Sequence, residues 1–347
     1  MKKYKREVRI GDVVIGGNNS PIRVQSMTKT DTRDVDATVN QILQLEEYGC
    51  EIVRVAVKDL EAATKIKDIK SSIHIPLVAD IHFDPRLAIK AVKAGADKIR
   101  LNPSNIEDKE WIKKIAQLCK ERSVPIRVGA NLGSFKERPE DLAGAMVESV
   151  KDEIEILNSV SFDDIVISAK SSNVPLTIAV NRKLDEMFDY PIHLGVTEAG
   201  TLRESLVKSS IGIGILLNEG IGDTLRVSIT GDPVEEVVAS YNILKALSLR
   251  EYGLEIISCP TCGRTEVDIE SIVNRLQKDF STAKKPLKVA VMGCVVNGPG
   301  EAKDADIGVA CGKESGVLFE HGKIIKVLKA DEIYPVLKEE IKKALNS

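Results

Sequence analysis

Pro76-Leu-Val-Ala-Asp-Ile81 is followed by Asp84-Pro85, by a run placing Leu87, Ala88, Ala91 and Val92 on one face, by Gly95, and by Lys98-Ile-Arg-Leu-Asn-Pro103. Each apolar run is short enough to be a strand buried on both faces. Asp before Pro is a helix N-cap with proline at the first helical position, and glycine ends the helix. Strand, helix, strand in that order makes a parallel pair joined by a crossover. The unit recurs in both directions. Upstream stand Pro21-Ile-Arg-Val-Gln-Ser26 and Ile52-Val-Arg-Val-Ala-Val57. Downstream stand Pro125-Ile-Arg-Val-Gly-Ala130, Asp164-Ile-Val-Ile-Ser-Ala-Lys170, Pro191-Ile-His-Leu-Gly-Val-Thr197 and Thr224-Leu-Arg-Val-Ser-Ile-Thr230. Eight units between residues 21 and 250 predict a (β/α)8 TIM barrel. An open doubly wound sheet ordinarily has fewer strands, and the dinucleotide glycine fingerprint is missing from this sequence.

Residues 1–20, with turn signals at Gly11-Asp12 and Gly16-Gly17-Asn18, read as a short hairpin before the barrel. After Arg250 the repeat breaks. Residues 254–347 read as a smaller α+β domain: a helix near 268–280, strands around 288–292 and 307–310, and a Lys/Glu-rich terminal helix.

With 43% hydrophobic and 29% charged residues, the chain of 347 reads as an ordinary soluble protein. Its net charge of −3 gives no reason to expect nucleic acid or an anionic membrane. The basic start, Met1 to Arg6, runs into Glu7-Val-Arg-Ile-Gly-Asp12, which is no secretory leader, and no apolar stretch is long enough to span a bilayer. Six cysteines in a chain of this kind suit a reducing compartment, so a cytoplasmic location is expected.

A barrel carries its chemistry at the C-terminal ends of its strands. There the sequence puts Arg54, Arg100 with Asn102, Arg127 with Asn131, Lys170, and Arg226 with Ser228. A charge inside a buried run needs a partner. Each arginine could pair with a barrel carboxylate such as Asp80, Asp97 or Glu198; alternatively, several converge on an anionic ligand. Five cations on five strands exceed the visible inward carboxylates, which favours the anion, and a diphosphate matches the guanidinium fork. Acid–base candidates at the same level are Asp80, His82, His193 and Glu198, with His193 better read as a hydrogen-bonded core residue.

The second domain holds a split thiol set, Cys259-Pro-Thr-Cys262 and Cys294 in Gly293-Cys-Val-Val-Asn-Gly-Pro-Gly-Glu301. Three thiolates suit zinc or an iron–sulfur cluster, and spacing does not separate the two. For the fourth place, generic ligand chemistry points to Cys311; Glu301 is the less ordinary choice. Cys50 and Cys119 lie in apolar patterns and read as core. A zinc-stapled phosphosugar enzyme and a non-enzymatic electron carrier are the rival readings.

Several motifs together resemble 4-hydroxy-3-methylbut-2-enyl diphosphate synthase, the iron–sulfur enzyme of the methylerythritol phosphate route. They are Val24-Gln-Ser-Met-Thr28, Val78-Ala-Asp-Ile-His-Phe83, Lys98-Ile-Arg-Leu-Asn-Pro103, Val128-Gly-Ala-Asn-Leu-Gly-Ser134, Gly195-Val-Thr-Glu-Ala-Gly200, Cys259-Pro-Thr-Cys-Gly-Arg264 and Gly293 to Glu301. The likeness runs along essentially the whole chain and matches the short two-domain bacterial form. It implies a [4Fe–4S] cluster on Cys259, Cys262, Cys294 and Glu301, which would set Cys311 aside. It implies 2-C-methyl-D-erythritol 2,4-cyclodiphosphate in the barrel mouth, gripped by Arg54, Arg100, Arg127, Lys170 and Ser228 with Arg226 nearby. Asn102 and Asn131 would orient the substrate, with Asp80 and His82 as weaker candidates on its side. The implied reaction is a two-electron reductive dehydration in which Glu301 yields its place and Glu198 is the general acid. Ferredoxin or flavodoxin as electron donor, and a homodimer, are further implications.

Overall fold

The computed structural model describes residues 3–82, 84–102, 106, 108–131, 139–265, 267–294 and 304–347. It divides into two compact units, residues 1–250 and 251–347. The first opens with an antiparallel hairpin, β1 (Val8–Ile10) and β2 (Val13–Ile15). Eight strands follow: β3 (Arg23–Met27), β4 (Ile52–Ala56), β5 (Leu77–Asp80), β6 (Lys98–Arg100), β7 (Ile126–Asn131), β8 (Ile165–Lys170), β9 (His193–Leu194) and β10 (Thr224–Leu225). A helix follows each: α1 (Val35–Glu47), α2 (Leu60–Lys70), α3 (Pro85–Lys93), α4 (Lys109–Glu121), α5 (Leu142–Asn158), α6 (Val174–Met187), α7 (Leu202–Asn218) and α8 (Pro233–Ala246).

The sheet order is β8-β7-β6-β5-β4-β3-β10-β9 and all its ladders are parallel. Ile167 bridges to Ile192, its N–H donating to Pro191 O at 2.9 Å, so the two ends of the sheet meet as a barrel. The two-residue β9 and β10 are shorter than the apolar runs that announce them. Their later residues leave the ladder and supply the mouth.

Seven of these helices begin at an Asp or Asn whose side chain accepts a first-turn N–H: Asp34, Asp59, Asp84, Asp108, Asp141, Asn173 and Asp232. Each cap contributes about 1 kcal/mol and fixes where a mouth loop ends and its helix begins. The other end of the barrel is shut. Val8, Ile10 and Ile15 of the hairpin are buried against Ile52, Val78 and Val166, forming an apolar floor. None of the described helices is long and apolar enough to cross a membrane.

The second unit is a five-stranded sheet in the order β11 (Leu254–Ser258), β12 (Leu287–Met292), β13 (Ile307–Cys311), β14 (Ser315–Glu320), β15 (Lys323–Lys329). The first three strands are parallel and the last three antiparallel. α9 (Ile269–Asp279) and α10 (Ile333–Asn346) bury Ile269, Ile272, Leu276, Ile333, Leu337 and Ile341 in one core with Val289, Val291, Val309 and Cys311. The sequence reading anticipates both helices, β12 and β13, but gives no strand for β11, β14 or β15.

Candidate active site

Register puts a polar set on the inner side of the barrel. Met27 pairs with Arg54, Arg54 with Val78, Asp80 with Arg100, Arg100 with Arg127, Gly129 with Ser168 and Asn131 with Lys170. Neighbours in a parallel sheet face the same side, so these residues line one cavity wall.

Asp80 ties two of the cations. Its carboxylate lies 3.8 Å from Arg54 Nε, 3.7 Å from Arg100 Nε and 3.5 Å from His82 Nε2. Burial pushes this carboxyl up, but Arg54, His82 and Arg100 together outweigh burial and hold it well below the usual carboxylate range. Arg100 Nη1 also donates to His82 Nδ1 at 3.1 Å. Burial pulls Arg54 down to about 10; Asp80 opposes that, while Arg226 and Arg100 add to it. Arg54 Nε further donates to the Met27 thioether at 3.1 Å.

Arg226 makes a bidentate pair with Glu236 at 2.9 and 3.0 Å. Glu236 is fully buried in the first turn of α8 and also accepts from Ser26 Oγ and Ile229 N. Arg127 and Lys170 differ: neither has a carboxylate within ion-pair distance among the described residues. Arg127 is 3% exposed and, among the described residues, donates only to Ser168 Oγ, at 3.2 Å. Lys170 is 7% exposed, and its amine lies where a side chain on Gly195 would stand: an added Cβ there would be 2.7 Å from Nζ. Burial, then the surrounding arginines, pulls both cations well below their usual values. An anion in the mouth would relieve that repulsion.

The other candidates take these places. Asn102 is buried just beyond β6, Asn131 ends β7, and Ser228 is half-buried with its carbonyl accepting from Ser205 Oγ at 2.8 Å. Glu198 is exposed beyond β9 with its backbone at φ 51°, a left-handed conformation costly for any residue with a Cβ. His193 is fully buried below the rim, its Nδ1 2.5 Å from Thr224 Oγ1, as expected of a core histidine. Asp97, named as a partner for the arginines, instead accepts from Leu77 N and pairs with Lys70 at 2.7 Å, away from the mouth arginines.

In the second unit Cys259 follows β11 directly and Cys294 lies two residues beyond β12, its parallel neighbour. Their thiols therefore stand at one edge of the sheet. Gly293 N donates to Cys259 Sγ at 3.3 Å, and hydrogen bonds from the Arg264 backbone and side chain pull the exposed Cys262 thiol down. Metal ligation requires the thiolate, and the Arg264 hydrogen bonds favour it at Cys262. Glu301 lies outside the described residues. Among the described residues, no three His, Cys, Asp or Glu side chains are gathered closely enough to hold a metal ion. Cys311 faces the helices in the core, fully buried, and burial followed by the nearby Cys259 pushes its thiol up to about 11. Cys50 and Cys119 are also core thiols, each pushed to about 12 by burial.

Two family models match this architecture, the GcpE TIM-barrel domain over residues 5–241 and the GcpE protein C-terminal domain over residues 255–343. The chain belongs to the GcpE family. Among similar proteins is the 4-hydroxy-3-methylbut-2-en-1-yl diphosphate synthase (flavodoxin) of Caldanaerobacter subterraneus subsp. tengcongensis, 56% identical over 99% of this chain and 98% of the relative. Enzymes of the same name from Ruminiclostridium cellulolyticum and Fusobacterium nucleatum are 52% and 49% identical over 98% and 100% of this chain, and 98% and 99% of theirs. Among solved structures, dihydropteroate synthase from Stenotrophomonas maltophilia aligns with TM-score 0.55 at 15% identity, covering 70% of this chain and 97% of that one. That from Thermus thermophilus aligns at 0.53 and 15%, covering 70% and 100%. At such identity the likeness concerns the barrel fold alone.

In this GcpE chain, Glu236, Met27 and Ser168 are mouth residues that sequence reasoning passes over. Glu236 is the important one because it neutralises Arg226. An acidic pair in the first turn of a helix, Glu235-Glu236, is what the helix dipole favours anyway. Only the apolar Pro233, Val234 and Val237 around it signal burial.

Proposed function

We propose that the barrel mouth binds 2-C-methyl-D-erythritol 2,4-cyclodiphosphate, and that Cys259, Cys262, Cys294 and Glu301 are the ligands of a [4Fe–4S] cluster. Membership of the family makes the chain an enzyme that forms 4-hydroxy-3-methylbut-2-en-1-yl diphosphate, an oxidoreductase of isoprenoid precursor synthesis. One observation carries the substrate reading: Arg127 and Lys170 are buried cations with no carboxylate partner among the described residues. Buried charge is held only against an opposite charge, and a diphosphate brings two.

When bound, the cluster supplies two electrons, one at a time, and a Lewis-acid position for a substrate oxygen. The protein supplies the rest. Arg54, Arg100, Arg127 and Lys170 hold the diphosphate, with Arg226 and Ser228 beside them. Asp80 spreads Arg54 and Arg100 and keeps His82 at the rim. Asn102 and Asn131 orient the carbon skeleton. Glu198 gives a proton to the oxygen that leaves as water, which makes ring opening a dehydration. The thiols fit a cluster better than a closed zinc site, since Cys311 is committed to the core.

The relatives' names specify flavodoxin, so an electron-carrying protein is the partner, flavodoxin itself or a ferredoxin in its place. A cytoplasmic homodimer completes the reading. Val207, Ile211 and Ile215 form an exposed apolar stripe on α7 of the kind a second copy would cover. The cluster is tested by iron and acid-labile sulfide in anaerobically purified protein. About four of each per chain, lost in Cys294→Ser but kept in Cys311→Ser, is expected. One zinc and no sulfide after attempted reconstitution overturns it.

A further inference from the structure

Between the cationic mouth and the apolar floor the barrel has a third, polar level. Gln25 on β3, Lys98 on β6 and His193 on β9 are each fully buried. Register turns them inward: Val78, level with Lys98, belongs to the floor cluster, and Thr224 pairs with both His193 and Arg23. Both amide atoms of Gln25, the Lys98 amine, His193 Nε2 and Arg127 Nε have no hydrogen-bond partner among the described residues. Five such atoms in a closed interior point to ordered water among them, since buried polar groups are otherwise satisfied. A lysine among the largest fully buried side chains of the protein, with no acceptor, is the unusual member.

We propose that this level is a proton store for the anion site above it: a doubly charged diphosphate entering the mouth draws a proton from solvent onto the Lys98 amine. The inference rests on the diphosphate reading of the mouth.

The charges around Lys98 decide the direction. Arg54 from β4, Arg127 from β7, Lys170 from β8, His193 from β9 and Arg226 just beyond β10 face the same interior, as does Arg100 on its own strand. On the acidic side, Asp80 from β5 is already shared by Arg54 and Arg100, and Glu236 from α8 is spent on Arg226. Arg23, at the lower end of β3, is paired with Glu51. In the empty barrel burial first, and then Arg127 and Arg54, holds the Lys98 amine well below its usual value. An added dianion reverses the sign of the local potential, so the ammonium form becomes favourable and the proton count rises. Ring opening exposes one more negative charge in the same place, which the same ammonium meets.

The cyclic diphosphate has no group that titrates near neutral pH, so any proton taken up belongs to the protein. The experiment is calorimetric titration of the oxidised, cluster-loaded chain with the cyclodiphosphate, without reductant, in buffers of different ionisation heat. Wild type is expected to take up about two protons at most, shared between Lys98 and Lys170. Lys98→Met is expected to bind with about half that uptake, the remainder belonging to Lys170, while His193→Gln retains all of it. No uptake by wild type, or uptake undiminished in Lys98→Met, overturns the proposal. Sulfate, a dianion without a titrating proton in this range, is the second probe. Proton-coupled sulfate binding without cyclodiphosphate binding would sink the substrate reading and leave the proton store standing. If neither anion binds, both fall.

Discussion

Glu198 combines a side chain exposed at the mouth with a backbone held at φ 51°. Strain of this kind costs on the order of 1–3 kcal/mol and persists where the surroundings impose it. Two substitutions separate backbone from carboxylate. Glu198→Gln is expected to lower turnover by about 10²–10⁴-fold with little change in substrate affinity. Glu198→Gly is expected to lose turnover equally while gaining about 1 kcal/mol in denaturant unfolding. Normal turnover in the Gln variant would remove Glu198 from the chemistry. Glu236 gives the opposite test. Glu236→Ala leaves the partly buried Arg226 without its carboxylate and is expected to cost about 3 kcal/mol; a loss under about 1 kcal/mol would mean that Arg226 is not held by this pair. The arginines were legible in the sequence because a charge inside an apolar run is conspicuous. Glu236 was not, because an acid near a helix start is ordinary.

At the scale of elements, the eight barrel units were readable because local signals agree: proline or glycine punctuation, a Val/Ile run, an Asp or Asn cap. The floor was less so. Residues 1–20 read as a hairpin, but only tertiary structure puts Val8, Ile10 and Ile15 under Ile52, Val78 and Val166. Ile10→Ala is expected to destabilise the barrel by about 2–5 kcal/mol in denaturant titration, and less than about 1 kcal/mol would mean the floor is not a packed core. In the second unit β15 escaped because Lys323-Ile-Ile-Lys-Val-Leu-Lys329 does not alternate. It is an edge strand that leaves Ile324, Ile325 and Val327 exposed. Cys311 was ambiguous as a ligand by type alone. Its place in the core, facing the helices, argues against it.

For the whole molecule, a net charge of −3 hides a barrel whose interior is strongly positive. That imbalance has a pH signature. Lys98 and Lys170 are both lowered in the folded state, whereas the unfolded chain keeps these protons up to about pH 10.4. Between the lowered values and that limit the unfolded state binds more protons, so stability rises with pH. Each group contributes up to about 1.4 kcal/mol per pH unit. Denaturant unfolding of the empty protein at increasing pH is expected to show this rise, smaller in Lys98→Met and suppressed by a saturating anion. Stability that falls over the same window would contradict the reading of the mouth.

The most direct measurement is turnover. The reconstituted chain is mixed anaerobically with the cyclodiphosphate and reduced flavodoxin, and the products are resolved by mass spectrometry. The account predicts 4-hydroxy-3-methylbut-2-en-1-yl diphosphate at two electrons per molecule formed, with at least about a hundredfold loss in Arg127→Met and Lys170→Met. An iron–sulfur protein that leaves the cyclodiphosphate unchanged, or that turns it over equally well without Arg127 and Lys170, would contradict it.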